Sequence, residues 1–232
     1  LDEVVVTYSD SNIAGVITGL GDEDVTITNT GSVAAGDLNT INDKTSGVIT
    51  VEDATTVTGT YTEINTAYTA NTDGEIDGLN NEAITVSELT EVTVTQANVL
   101  NGLTDGVVTA TISNNDLDNL ANLTETGNAY TITVTDSSAS AASLTALADK
   151  TTVQVAVESE TITGTVTAIN AAYASDGLSG LGTEAITVDS GTASVSEVND
   201  LADLTTGTIT ATVTEGDMAT LAGIEDTGNV LT

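Results

Sequence analysis

The sequence predicts a repeat solenoid of the β/α type, in which a parallel sheet of short strands alternates with short helices. Three features point there: an internal repeat along the whole chain, period-two alternation of β-branched residues, and apolar residues at spacing three between the alternating stretches. Five strand residues span about 17 Å and nine helical residues about 13.5 Å, so two tight turns close a coil of about 22 residues. One coil cannot bury its own apolar stripe, so coils must stack, with strands pairing in parallel through right-handed crossovers. The alternative is a string of all-β tandem sandwiches. Against it stand the leucine stripes and the absence of an Asn-Gly pair joining two alternating stretches.

The repeat is visible in ordered matches. Thr56-Val57-Thr58-Gly59-Thr60, followed by Ile64-Asn65-Thr66-Ala67-Tyr68, returns 105 positions later as Thr161-Ile162-Thr163-Gly164-Thr165 and Ile169-Asn170-Ala171-Ala172-Tyr173. Glu82-Ala83-Ile84-Thr85-Val86 returns as Glu184-Ala185-Ile186-Thr187-Val188, and residues 106–123 return as 207–224. The only two lysines, Lys44 and Lys150, fall in matching segments. We therefore expect one continuous solenoid over 1–232, with two super-repeats of about 100 residues at 25–131 and 132–232 after a partial copy at 1–24.

Strand-like alternation begins near Val4, Val25, Val48, Ile84, Val108, Ile132, Val153, Ile186, Ile209 and Val230. One unit shows the logic. Val108, Ala110 and Ile112 alternate with Thr109, Thr111 and Ser113, a strand with one buried face. Ser113-Asn114-Asn115-Asp116 supplies side-chain oxygens for a helix N-terminus, and Leu117, Leu120 and Leu123 form the stripe. Gly127 is the expected left-handed stop before a strand at Tyr130. Val94, Ala97, Leu100 and Leu103, and then Val195, Val198, Leu201 and Leu204, repeat that stripe. Tyr68 and Tyr173, each four residues after an Ile, are expected on it as core anchors.

Composition removes most chemistry. The 232 residues include five Tyr but no Phe or Trp, so any core is aliphatic. Without His or Cys there is no histidine-based triad and no ordinary zinc site. Two lysines and no arginine exclude a nucleic-acid footprint. No run approaches the roughly 18 apolar residues of a membrane span. A net charge of −33 repels itself, and salt or divalent cations would relieve it. No enzymatic activity is expected. The composition suits a saline, calcium-containing medium outside a cell.

The outward strand positions Thr7, Thr28, Thr50, Thr85, Thr111, Thr133, Thr187 and Thr212 are expected to form a ladder of hydroxyl and methyl groups. Such a face is either ordinary exposed strand or a surface matched to ice or polysaccharide. Asp73-Gly74-Glu75-Ile76-Asp77-Gly78, completed by Glu82, resembles the start of a calcium loop. Asp73, Glu75, Asp77 and Glu82 are thus the candidate metal ligands. Ile84 stands where such a loop needs its last carboxylate, and the second copy lacks most of these acids, so an acidic turn is the competing reading. Asp22-Glu23-Asp24 reads as a solvated turn.

Ile162-Thr163-Gly164-Thr165, Ile169-Asn170, Gly177-Leu178-Ser179-Gly180-Leu181-Gly182 and Glu184-Ala185-Ile186-Thr187 together resemble repeats in giant surface proteins of marine picocyanobacteria and related bacteria. Asp37-Leu38-Asn39-Thr40-Ile41 with Asp43-Lys44-Thr45-Ser46-Gly47-Val48 resembles the same arrays. The resemblance implies a non-catalytic extracellular or cell-surface segment of a filament, coat, adhesin or motility-linked layer. Its partners would be copies of itself, end to end or side by side, or polysaccharide or a cell surface. Neither end of the sequence carries a recognisable polar cap, so end-to-end contact is expected.

Overall fold

The computed structural model describes residues 5–8, 19–87, 89–189, 191–225 and 228–232. The chain is α/β, with four parallel sheets of short strands alternating with helices, and none of these sheets closes into a barrel. It divides into two compact units, residues 1–113 with 127–130, and residues 114–126 with 131–232.

In chain order the elements begin with β1 (Val5–Tyr8), β2 (Asp24–Ile27), β3 (Ser32–Ala34), α1 (Ala35–Asn42), β4 (Ile49–Val51) and β5 (Thr56–Gly59). Next come α2 (Tyr61–Asp73), β6 (Ile76–Asp77), β7 (Ala83–Val86), β8 (Glu91–Val92), α3 (Val94–Asn101) and β9 (Val108–Ile112). Then follow α4 (Leu117–Leu120), β10 (Ala129–Thr131), β11 (Thr133–Val134), β12 (Ser138–Ser140), α5 (Ala141–Ala148), β13 (Val155–Val157) and β14 (Thr161–Gly164). The last are α6 (Val166–Tyr173), β15 (Leu178–Ser179), β16 (Ala185–Val188), α7 (Val195–Ala202), β17 (Ile209–Ala211), α8 (Met218–Leu221) and β18 (Val230–Leu231).

In the first unit one sheet runs β1-β2-β4-β6 and the other β10-β9-β7-β5-β3, with β8 paired to β9. The chain alternates between them: β2 to β3, a helix, β4 to β5, a helix, β6 to β7. Each circuit therefore advances both sheets by one strand. The register stacks like on like. Val25 faces Ile49, which faces Ile76, and Val33, Val57, Ile84 and Val108 form the second row. All seven are fully buried. Burying a Val or Ile side chain gains about 1.5–3 kcal/mol, so these aliphatic rows are the principal cohesive element of the unit. The second unit repeats the plan, with β11-β13-β15 in one sheet and β12-β14-β16-β17-β18 in the other. Its central row is Ala139, Ile162, Ile186 and Ile209, all fully buried.

The helices start where hydroxyl and carboxylate side chains can hold their first N–H groups. Thr60, Thr93 and Ser194 make capping boxes with Glu63, Gln96 and Glu197. Ser140, Thr165, Asp116 and Asp217 cap one-sidedly. The stripes at Val94, Ala97 and Leu100 and at Val195, Val198 and Leu201 are buried as expected.

The coil differs from the expected one. A strand, short helix and strand do follow one another in Val108–Thr131, through β9, α4 and β10. Elsewhere most circuits hold two strands in two sheets. The strands β3, β5, β12 and β14 run straight into helix N-caps, and their three or four residues lie within stretches that resemble helix entry. Gly127 is left-handed, with φ of +88°, but it lies in the turn before β10, because α4 ends at Leu120. The left-handed helix stop occurs instead at Gly74, after α2, with φ of +81°. The alternation at Val4 begins outside the described residues, and β1 runs from Val5.

Candidate functional site

The most specific arrangement is a polar clasp that occurs three times among the described residues. It begins with a turn in which Gly21, Asn80 or Gly182 donates its backbone N–H to the carboxylate of the glutamate two residues on. The distances are 2.5 Å to Glu23, 2.8 Å to Glu82 and 3.0 Å to Glu184. The same glutamate's carbonyl oxygen accepts a hydroxyl from the next circuit. Thr45 donates to Glu23, Thr104 to Glu82 and Thr205 to Glu184, each at 2.6 Å. The threonine oxygen in turn accepts the N–H of Gly47, Gly106 or Gly207, at 2.9, 2.9 and 3.0 Å.

Glycine is required at the end of each clasp by closeness, not by backbone angle. A Cβ on Gly47, Gly106 or Gly207 would lie 2.3, 2.4 or 2.2 Å from the glutamate carbonyl oxygen. The signature is Gly/Asn-x-Glu, then Thr-x-Gly 21 or 22 residues after the Glu. It was present in the sequence as the matched Glu-Ala-Ile-Thr-Val segments and the glycines before strands. Those glycines carry no local signal of the clasp, because their contact partner is a whole circuit away.

Two clasps are buried, each with a tyrosine hydroxyl beside it, and one of them is bonded by it. Glu82, Thr104, Glu184 and Thr205 are all buried, and the Tyr173 hydroxyl donates to the Glu184 carboxylate. Burial pushes the Glu184 carboxyl up, but hydrogen bonds from Tyr173 and from backbone N–H groups at 182–184 outweigh it and hold the carboxyl below its usual range. Burial, then the Glu184 contact and charge, push the Tyr173 hydroxyl up. Tyr68 is also pushed up, first by burial and then by the charge of Glu82. Its hydroxyl lies beside Glu82 and Thr104 without a well-formed hydrogen bond to either. Both tyrosines sit at equivalent repeat positions as expected. Tyr173 is half-exposed, so it acts as a polar strut rather than a core anchor. The Glu23 carboxylate is exposed at a turn, as expected, where the hydrogen bond from Gly21 holds it low, while its carbonyl receives Thr45 from the next circuit.

A second device fixes the leading N–H of a strand. Val48 N–H donates to Asp24 Oδ1 at 2.7 Å, Val108 N–H to Asn128 Oδ1 at 2.8 Å, and Ile209 N–H to Asn229 Oδ1 at 2.9 Å. Asn128 Nδ2 then donates to Asn101 Oδ1 at 2.7 Å. The counterpart of Asn101 in the other copy is Ala202, and the buried Nδ2 of Asn229 has no partner among the described residues.

The four candidate metal ligands are not gathered. Asp73 is the exposed last residue of α2, Asp77 is exposed in β6, and Glu75 accepts from Asn42 Nδ2 at 2.8 Å. Glu82 is buried in its clasp. Among the described residues no three carboxylates form a metal-binding group. The spacing resembled a calcium loop because the helix end at Asp73, the cap at Gly74 and a strand at Ile76 place acids at alternate positions. Asp73 and Glu75 line one open depression, which Asp77 and Glu82 do not reach.

The threonines do not form one ladder. Thr7, Thr26 and Thr50 share a row that ends at Asp77. Thr85 lies in the other sheet between Thr58 and Thr109. Thr28 follows β2 and bonds the Tyr8 carbonyl, and Thr111 faces Glu91. In the second unit Thr133 faces Ala156, Thr187 lies between Thr163 and Thr210, and Thr212 meets Thr232 at 3.2 Å. The period-two pattern identified outward positions, but it could not show that alternate strands belong to different sheets.

No family model, no curated protein and no solved structure matches this chain. Among the described residues no helix is long and apolar enough to cross a membrane.

Proposed function

We propose that the chain is a run of right-handed solenoid coils serving as a structural, non-catalytic segment of an extracellular filament, coat or adhesin. The observation that supports this reading best is the thrice-repeated clasp of Glu23–Thr45, Glu82–Thr104 and Glu184–Thr205, which ties one circuit to the next with the same atoms each time. Repeated bonding of neighbours is what a repeat array needs to stay rigid, since each repeat is stabilised mainly by its neighbours. Glu82, Thr104, Glu184 and Thr205, four of the buried polar residues, are engaged in that bonding. The charge of −33 fits a saline exterior, where screening limits self-repulsion. Partners on this reading are copies of the same chain or a cell-surface polysaccharide.

Immunogold electron microscopy of the native cells, with an antibody to this chain, tests the proposal. Label along surface fibres or an outer layer is the expected result. Label confined to the cell interior overturns it.

A further inference from the structure

The two lysines are the only cationic side chains in a sequence with 35 acidic ones, and they occupy matching places in the repeat. Lys150 lies two residues beyond α5, half-buried, at the rim of an apolar depression in the second unit. Leu117, Leu120 and Ala121 of the α4 segment line one wall. Ala146 and Leu147 of α5 line the other, and Ser143 stands at the far end. The Lys150 side chain has no hydrogen-bond or ion-pair partner among the described residues. A lone ammonium beside leucines, in a chain crowded with carboxylates, is not needed for surface charge balance. Its place suits an anion that also brings apolar surface.

We propose that this groove binds an aliphatic carboxylate of about eight carbons, its head on the Lys150 ammonium and its tail against the accessible surface of Leu117, Ala121 and Ala146. Length follows from the wall: Ser143 to Ala148 spans about 7.5 Å of α5, and Lys150 lies two residues past its end, a reach of about 10 Å that suits an extended chain of about eight carbons. Charge follows from the single cation, because a carboxylate on an ammonium makes a strong charge-assisted hydrogen bond. The tail is required because the net charge of −33 repels a bare anion, and only apolar contact can offset that. Lys44 follows α1 as Lys150 follows α5, while the segment corresponding to α4, in 9–18, lies outside the described residues.

The test is an amide chemical-shift titration of the intact chain in half-molar sodium chloride, with sodium octanoate, sodium acetate and 1-octanol as separate probes. Octanoate should move the resonances of Leu117, Ala121 and Ala146. Acetate should not, and octanol should bind about tenfold more weakly for want of the charged contact. Lys150→Gln should reduce octanoate to the level of octanol, while Lys44→Gln leaves these resonances responding as before. Ala146→Phe should fill the groove and abolish binding. Four results overturn the proposal: no shift at millimolar octanoate, an equal response to acetate, equal affinity for octanol and octanoate, or a Lys150→Gln chain that binds octanoate unchanged. The Lys150 side chain has no hydrogen-bond or ion-pair partner among the described residues, so the variant's far-ultraviolet dichroism should match the parent's and exclude misfolding.

Discussion

Thr205 and Glu184 lie in different circuits of the second unit, yet the Thr205 hydroxyl donates to the Glu184 carbonyl oxygen at 2.6 Å. Glu184 thus receives hydrogen bonds at both ends, from Thr205 on its backbone and from Tyr173 on its carboxylate. Replacing Thr205 by Val keeps the shape and removes the hydroxyl. That leaves the Glu184 carbonyl and the Gly207 N–H unpaired in a buried place, at a cost of about 1–3 kcal/mol. Thr205→Ser should recover most of the loss. Urea unfolding of the three chains, read by circular dichroism, checks both expectations.

Close approach should make one glycine far more sensitive than another. Gly106→Ala puts a methyl group 2.4 Å from the Glu82 oxygen, so the backbone must move. A loss of about 2 kcal/mol or more is expected, in line with other strained core substitutions. Gly31→Ala meets nothing within 4 Å and should stay within about 0.5 kcal/mol of the parent. Equal effects at the two sites would refute the steric account.

Acid should weaken the Glu184 clasp. The carboxyl is held below its ordinary value of 4.5, so its stabilisation is complete above that pH and is lost as pH falls through the lower folded value. Neutralising the net charge acts in the opposite direction, but it does so in parent and variant alike. The comparison with Glu184→Gln isolates the local effect. The parent's advantage should be full at pH 7 and shrink below pH 4.5. An advantage that stays constant down to pH 3 would mean that the ionised carboxylate contributes nothing.

Asn229 offers a chance to gain stability. Its buried Nδ2 lacks the acceptor that Asn101 supplies to Asn128, because Ala202 stands in that place. Ala202→Asn should add one hydrogen bond, worth about 1 kcal/mol. Slower amide exchange at Ile209, whose N–H rests on Asn229 Oδ1 at 2.9 Å, is the direct readout.

Salt should stabilise the chain by screening, without ion specificity. Melting temperature should rise with sodium chloride, since the Debye length falls from about 10 Å at 0.1 M to about 3 Å at 1 M. Calcium and magnesium chloride at matched ionic strength should give coincident curves, because the described residues gather no three carboxylates. A steeper calcium curve, lost in Asp73→Asn, would restore the calcium loop.

Much of the local structure was legible because its causes are local. Period-two Val and Ile at Val25, Ile84, Val108 and Ile186 placed β2, β7, β9 and β16, and the stripes from Val94 and Val195 placed α3 and α7. What escaped is what depends on neighbours a circuit away. Val33, Val57 and Ile162 each sit in a strand that runs directly into a helix N-cap, so its alternation merges with the helix entry. The candidate site failed for the same reason. Alternate acids from Asp73 to Asp77 satisfy a calcium spacing along the chain, but only the fold reveals that, among the described residues, no three carboxylates come together. The clasp needed the converse knowledge, that Gly106 touches a carbonyl 24 residues earlier.

The circuit has one elastic side. Helix α2 has 13 residues and its counterpart α6 has eight, and the repeat offset drops from 105 at Thr56/Thr161 to 102 at Ala83/Ala185. Three residues vanish there, yet Val57 still faces Ile84 and Ile162 still faces Ile186. On the sheet side, Ile76 to Ala83 and Leu178 to Ala185 keep one spacing, seven positions apart in both copies. Insertions and deletions can therefore accumulate in the helices without shifting strand register, whereas a single residue added between paired strands would reverse every side chain beyond it. Foreign peptides grafted into such an array belong on its helical side.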